Sequence, residues 1–124
     1  ALIDAPEEAP IRAALEARGW RLTDLLITHH HDDHISAVPA LRGAARVIGA
    51  GADAHRLPPL DLAVAGDEML TVCGAAVAVI DVPGHTVGHI AFHVPAANAA
   101  FTADSLMSWG CGRLFEGTPA QMWD

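Results

Sequence analysis

Short apolar runs separated by turn residues set the pattern of this chain. Ala1 to Asp4 reads as a brief strand, and Pro10 to Arg18 as an amphipathic helix, with Pro6, Glu7, Glu8 and Pro10 suited to its start and Gly19 to its stop. Leu22 to Thr28 reads as a buried strand built on Leu25-Leu26-Ile27. A short helix is predicted over Ile35 to Leu41, a strand over Ala45 to Ile48, and a loop over Gly49 to Leu60. Met69 to Val72 and Ala76 to Val82 can pair as a hairpin across Cys73 and Gly74. Ile90 to Val94 alternates, with Ile90, Phe92 and Val94 on one face, and Pro95 to Asn98 turns the chain into a last strand, Ala99 to Ala103. Helices and strands mix along the chain, so the expected architecture is α+β, with helices packed outside β-sheets in one domain.

The feature that changes this picture sits directly after the most apolar strand. Residues 28 to 34 read Thr-His-His-His-Asp-Asp-His, a composition poorly suited to a core and well suited to metal. In extended backbone alternate residues point the same way, so His29 and His31 can converge on one ion. Asp33 and His34, after the chain turns, can face a second. A purification tag would sit at a terminus; this cluster closes a hydrophobic strand. A second histidine segment, Asp81-Val-Pro-Gly-His85-Thr-Val-Gly-His89, places Pro83 and Gly84 in a tight turn that presents His85, while Gly88 permits close backbone approach. His89 reads as a structural residue or one that orients a ligand through its other ring nitrogen. Phe101-Thr-Ala-Asp104 is an apolar strand ending in a carboxylate that could bridge two ions. His55 and His93 have no such context.

Composition narrows the function classes. The 124 residues carry 52% hydrophobic and 18% charged side chains, which excludes disorder. No apolar run approaches the length of a membrane span. The net charge of −8, with seven arginines and no lysine, argues against a nucleic-acid partner. Cys73 and Cys111 are too few for a disulfide framework and form no Cys-x-x-Cys pair, so a reducing cytoplasm is the expected setting.

The run His29-x-His31-x-Asp33-His34, the Gly-His85 turn and Asp104 together resemble the metallo-β-lactamase superfamily, whose fold is an αββα sandwich. Gly110-Cys111-Gly112-Arg113-Leu114-Phe115-Glu116-Gly117-Thr118-Pro119 is similar to the signature of its glyoxalase II, or hydroxyacylglutathione hydrolase, branch. The resemblance implies that His29, His31 and His85 hold a first metal, that Asp33 and His34 hold a second, and that Asp104 bridges them. It implies two divalent ions, with zinc first and iron or manganese as alternatives, and catalysis by metal-bound hydroxide with Asp33 and Asp104 as the catalytic carboxylates. Two dications, two carboxylates and a hydroxide would leave a core of about +1. Arg113 matches a basic glutathione-contacting position, and Phe115 stands where some members have tyrosine. The implied substrate is S-D-lactoylglutathione, cleaved to D-lactate and glutathione in methylglyoxal detoxification. The family's seventh ligand, a later histidine, its helical C-terminal domain and its first strands have no counterpart, so the chain reads as a partial αββα sandwich within a longer enzyme. A persulfide dioxygenase with one iron shares Gly-Cys-Gly-Arg but departs from the hydrolase pattern Leu-Phe-Glu-Gly-Thr-Pro that comes next here. A non-catalytic metal-binding fragment is the remaining alternative.

Overall fold

Leu25, Leu26 and Ile27 are each no more than 1% exposed, as a parallel strand covered on both faces requires. In this computed structural model, which describes residues 1–123, they lie at the centre of one of two four-stranded sheets. The first sheet is parallel, in the order β1 (Leu2–Ile3), β2 (Asp24–Leu26), β3 (Arg46–Ala50) and β4 (Leu62–Val64). The second is an antiparallel meander of β5 (Met69–Val72), β6 (Ala75–Asp81), β7 (Ile90–Val94) and β8 (Ala99–Phe101). Leu26, Ile48 and Val64 from the first sheet meet Val77, Val79 and Phe92 from the second, and this sandwich is the larger core. Burial of each such side chain contributes about 1.5–3 kcal/mol before chain entropy is counted.

The opposite face of the parallel sheet buries Leu25, Ile27 and Val47 against Val38 and Leu41, with Ile11 packed alongside. These come from α1 (Glu8–Arg18) and from a helix pair, α2 (Asp32–Ile35) and α3 (Val38–Leu41). The single helix expected over 35–41 is therefore two pieces. Pro39 has no N–H to donate to Ile35, so the α2 ladder cannot run on through it. A further short helix, α4 (Pro119–Trp123), comes after the last loop. The layering of helices, parallel sheet and antiparallel sheet agrees with a partial αββα sandwich.

The hairpin turns at Cys73 and Gly74, both at positive φ, as expected. Strand β4 was not expected: its three residues show no alternation, and only pairing with β3 defines it. The important consequence of this topology is where strands stop. The chain leaves β2 into His29, β6 into His85 and β8 into Asp104, so three distant segments discharge their donors at one rim of the sandwich.

Candidate metal centre

His29 is 1% exposed and His85 2% exposed, far more buried than histidines usually are. The site-facing atoms converge closely: His29 Nε2 lies 3.1 Å from His31 Nδ1, which lies 2.9 Å from His85 Nε2. What the outer nitrogens do decides the meaning of that cluster. His85 Nδ1 donates to the Arg113 carbonyl at 2.6 Å, leaving a lone pair on Nε2. His29 Nδ1 lies 3.0 Å from Thr28 Oγ1, whose own proton goes to Asp4 Oδ2 at 2.8 Å, so the hydroxyl accepts from His29 and Nε2 again carries a lone pair. Two lone pairs thus point at His31 Nδ1. A single proton there can serve one of them, whereas a cation serves all three nitrogens. The donor set and its fixed tautomers fit a divalent metal.

A second cluster adjoins the first. His34 Nδ1 pairs with Asp4 Oδ2 at 2.8 Å, which turns His34 Nε2 toward Asp104 Oδ1 at 3.5 Å. The other carboxylate oxygen, Asp104 Oδ2, lies 3.3 Å from His85 Nε2. One carboxylate therefore faces both clusters, the geometry a bridging ligand needs. His29, His34 and Asp104 come within metal-holding distance of one another, as do His29, His31 and His85. Asp33 stands at the margin: its Oδ2 is 3.9 Å from His34 Nε2 and its side chain is 80% exposed. Ala103, just before Asp104, has φ +42°, a left-handed conformation that disfavours a Cβ-bearing residue and aims the carboxylate inward.

Electrostatics follow the packing. Burial, reinforced by the neighbouring imidazoles, pushes the His29 pKa down to about 2, so it is a neutral donor. His31 is lowered for the same reasons, burial first and then His85. His89 stacks on His29 with ring centroids 4.5 Å apart, and burial lowers its pKa to about 4. Its Nδ1 donates to the Ile90 carbonyl, and it serves as packing behind His29. His34 moves the other way, raised by its hydrogen bond to Asp4.

The mouth of the site is formed by the segment after Asp104. The Gly112 N–H donates to the Asp104 carbonyl at 2.7 Å, and the Phe115 N–H to the His85 carbonyl at 3.1 Å. The Phe115 ring meets His31 and His85 edge-on, at 5.1 and 5.4 Å between centroids, and the Arg113 guanidinium lies 5.1 Å from the Phe115 centroid. His55 is exposed in its loop and joins neither cluster, and neither does His93.

Two groups of residues were not apparent in the sequence. Asp4 is 8% exposed, sits at φ +54°, and accepts from the Thr28 N–H and hydroxyl and from His34. Its only sequence signal is a carboxylate closing an apolar strand, as Asp104 does. The other group, His30, Asp53, Arg56 and Glu116, gave no signal because its three segments lie far apart in the chain.

Packed sheets whose strand ends collect imidazoles and carboxylates define a class of metal-dependent β-sandwich proteins. The profile of the metallo-beta-lactamase superfamily matches residues 2–73, and the chain belongs to that superfamily. It is 65% identical over 125 residues to a hydroxyacylglutathione hydrolase of Fuscovulum blasticum, an alignment covering 99% of this chain and 49% of that protein. The chain spans about half the length of the curated relatives it matches. Among solved structures, BLEG-1 B3 metallo-beta-lactamase shares the fold, with a TM-score of 0.89 at 22% identity over 98% of this chain and 70% of the other. TTHA1623 in a di-iron-bound form superposes with a TM-score of 0.80 at 27% identity, again over 98% of this chain and 70% of the other.

Proposed function

We propose that this chain is the metal-holding part of a hydroxyacylglutathione hydrolase, which cleaves the thioester of S-D-lactoylglutathione to D-lactate and glutathione. The observation that carries the reading is the pair of adjoining donor clusters that have His29 in common and Asp104 facing each through one carboxylate oxygen, with ring tautomers fixed from outside by Asp4, Thr28 and the Arg113 carbonyl. The 65% identity to a protein named for this activity supports the same reaction over the alternatives of a mononuclear dioxygenase or an inert fragment.

His29, His31 and His85 would hold one divalent ion, and His34 and Asp33 a second, with Asp104 between them. Zinc, iron and manganese all accept such ligands, and the di-iron form of TTHA1623 supports a count of two. When bound, such ions lower the pKa of water toward about 7 and polarise a carbonyl oxygen. The protein's own residues do the rest. Asp104 spreads its negative charge over both clusters, and burial keeps His29 neutral and ready as a donor. Asp33, open to solvent beside His34, would in addition to holding the second ion take a proton from the attacking water. The Arg113 guanidinium offers a positive partner for a carboxylate of the tripeptide, and Phe115 an apolar wall. Water adds to the thioester carbonyl, the C–S bond breaks, and the thiolate departs without needing a dedicated acid.

Loss of thioester absorbance on incubation with the metal-loaded protein tests this. His31→Ala and Asp104→Ala are each expected to lower kcat/KM by at least about 100-fold. Hydrolysis that survives either substitution would overturn the site assignment.

A further inference from the structure

Beside the metal clusters, and sharing no donor with them, lies a second polar network that joins four separate segments. Glu116 receives both Arg56 Nη1 and Nη2, the latter at 3.2 Å, and its Oε2 also accepts the Val87 N–H at 2.8 Å. Arg56 Nη2 donates onward to Asp53 Oδ1 at 2.7 Å. Asp53 is 2% exposed; its other oxygen lies 3.3 Å from His30 Nδ1, and His30 Nε2 lies 3.7 Å from Glu116. A Cβ on Gly88 would fall 2.2 Å from the Asp53 carboxyl carbon, so the carboxylate is seated directly on the backbone of the His85 loop. The Arg56 guanidinium is ideal for such a junction, because its planar fork holds two carboxylates at once.

The position of this network gives it a purpose. His30 stands between His29 and His31; its ring meets His31 edge-on, at 4.9 Å between centroids, while its two nitrogens face Asp53 and Glu116 in the network. Glu116 comes directly after Phe115, which touches His31 and His85, and precedes Gly117, whose N–H donates to the Gly84 carbonyl at 3.0 Å. The Arg113 carbonyl receives the His85 Nδ1 proton. Residues 113–117 are thus tied by backbone bonds to the His85 loop, and by the Glu116 side chain to that loop and to the loops of Arg56 and His30.

We propose that Arg56 and Glu116 are positioning residues: their ion pair, seated on Asp53 and His30, bolts residues 113–117 against the His85 loop and so fixes the wall that Arg113 and Phe115 present to substrate. The kinetic arm of its test rests on the thioesterase reading above; the structural arm does not. Glu116→Gln removes the charge without changing shape, and Arg56→Lys keeps a charge for Asp53 but loses the fork. Hydrogen exchange is followed in both variants, each as the metal-loaded protein. The Phe115 and Gly117 amides are expected to exchange at least about tenfold faster, with the β2 and β3 amides unchanged as the check on folding. KM for the glutathione thioester is expected to rise about tenfold with kcat within about threefold, while KM for a small thioester lacking the tripeptide stays within about twofold. Unchanged exchange at residues 113–117 in either folded variant overturns the bolt. Faster exchange in an active protein whose KM stays put overturns its role toward substrate. Faster exchange in variants of a wild-type protein that hydrolyses no thioester supports the bolt and overturns the thioesterase reading alone.

Discussion

One carboxylate, Asp4, sets the tautomers of two histidines that belong to different clusters. It takes the His34 Nδ1 proton directly and the His29 Nδ1 proton through the Thr28 hydroxyl, so both Nε2 lone pairs are turned inward. Holding a ligand ring from behind both aims it and raises its basicity. Asp4→Asn keeps the shape but leaves one oxygen for three donors, and its new N–H pair faces either the Thr28 N–H or the Thr28 hydroxyl and His34, all of which donate there. Metal affinity, measured by competition with a chelating dye, is expected to fall about 10- to 100-fold, with the far-UV spectrum unchanged. Affinity equal to that of the parent protein would mean that the rings are held by packing alone. The expected ligands were readable in the sequence because metal spacing is local: His29, His31 and His34 lie within one loop. Asp4 was not readable as their support, because its partners are 24 and 30 residues away.

At the scale of elements, strands do little here except end in the right places. The strand endings at His29, His85 and Asp104 came from apolar runs that stop at polar residues, and the sequence pattern revealed each of them. The departures have physical causes of their own: Pro39 divides a helix, and β4 exists through its neighbour rather than through its own pattern. Loop packing was the least legible level. Gly112 shows why: a Cβ there would lie 2.7 Å from both His85 Nδ1 and the Asp104 carbonyl oxygen, so the absence of a side chain lets the mouth segment close over two of the proposed ligands. Gly112→Ala is expected to push these apart and weaken metal binding by at least about tenfold, while the unfolding midpoint of the metal-free chain changes little. Unaltered binding in calorimetric titration would show that the segment shifts freely.

The whole molecule carries a net charge of −8 and a knot of buried imidazoles, and the second sets a definite pH dependence of stability. In the metal-free chain His29 and His89 have pKa values lowered to about 2 and about 4 by burial, against an ordinary value of 6.5. Below pH 6.5 the unfolded chain takes up protons that the folded chain refuses, so stability is full above pH 6.5 and falls as pH drops toward 4. Each of the two histidines contributes about 1.4 kcal/mol per pH unit to that loss. His34, raised by Asp4, acts in the opposite sense: its contribution is present below pH 6.5 and fades as pH rises through its folded value. With His31, lowered in the same direction, three histidines act against one. The urea midpoint of the chelated protein is therefore expected to be lower at pH 5 than at pH 7.5, and a flat profile would contradict the burial of neutral imidazoles. Among the described residues no helix is long and apolar enough to cross a membrane.

The central claim is that these donors form one centre for two ions. It is tested most directly by titrating the metal-free protein with zinc and counting tightly bound ions per chain by elemental analysis after gel filtration. Two ions per parent chain, falling to one or fewer in Asp104→Ala, is the result the shared carboxylate requires. A single ion at saturation, or a count indifferent to Asp104, would contradict it.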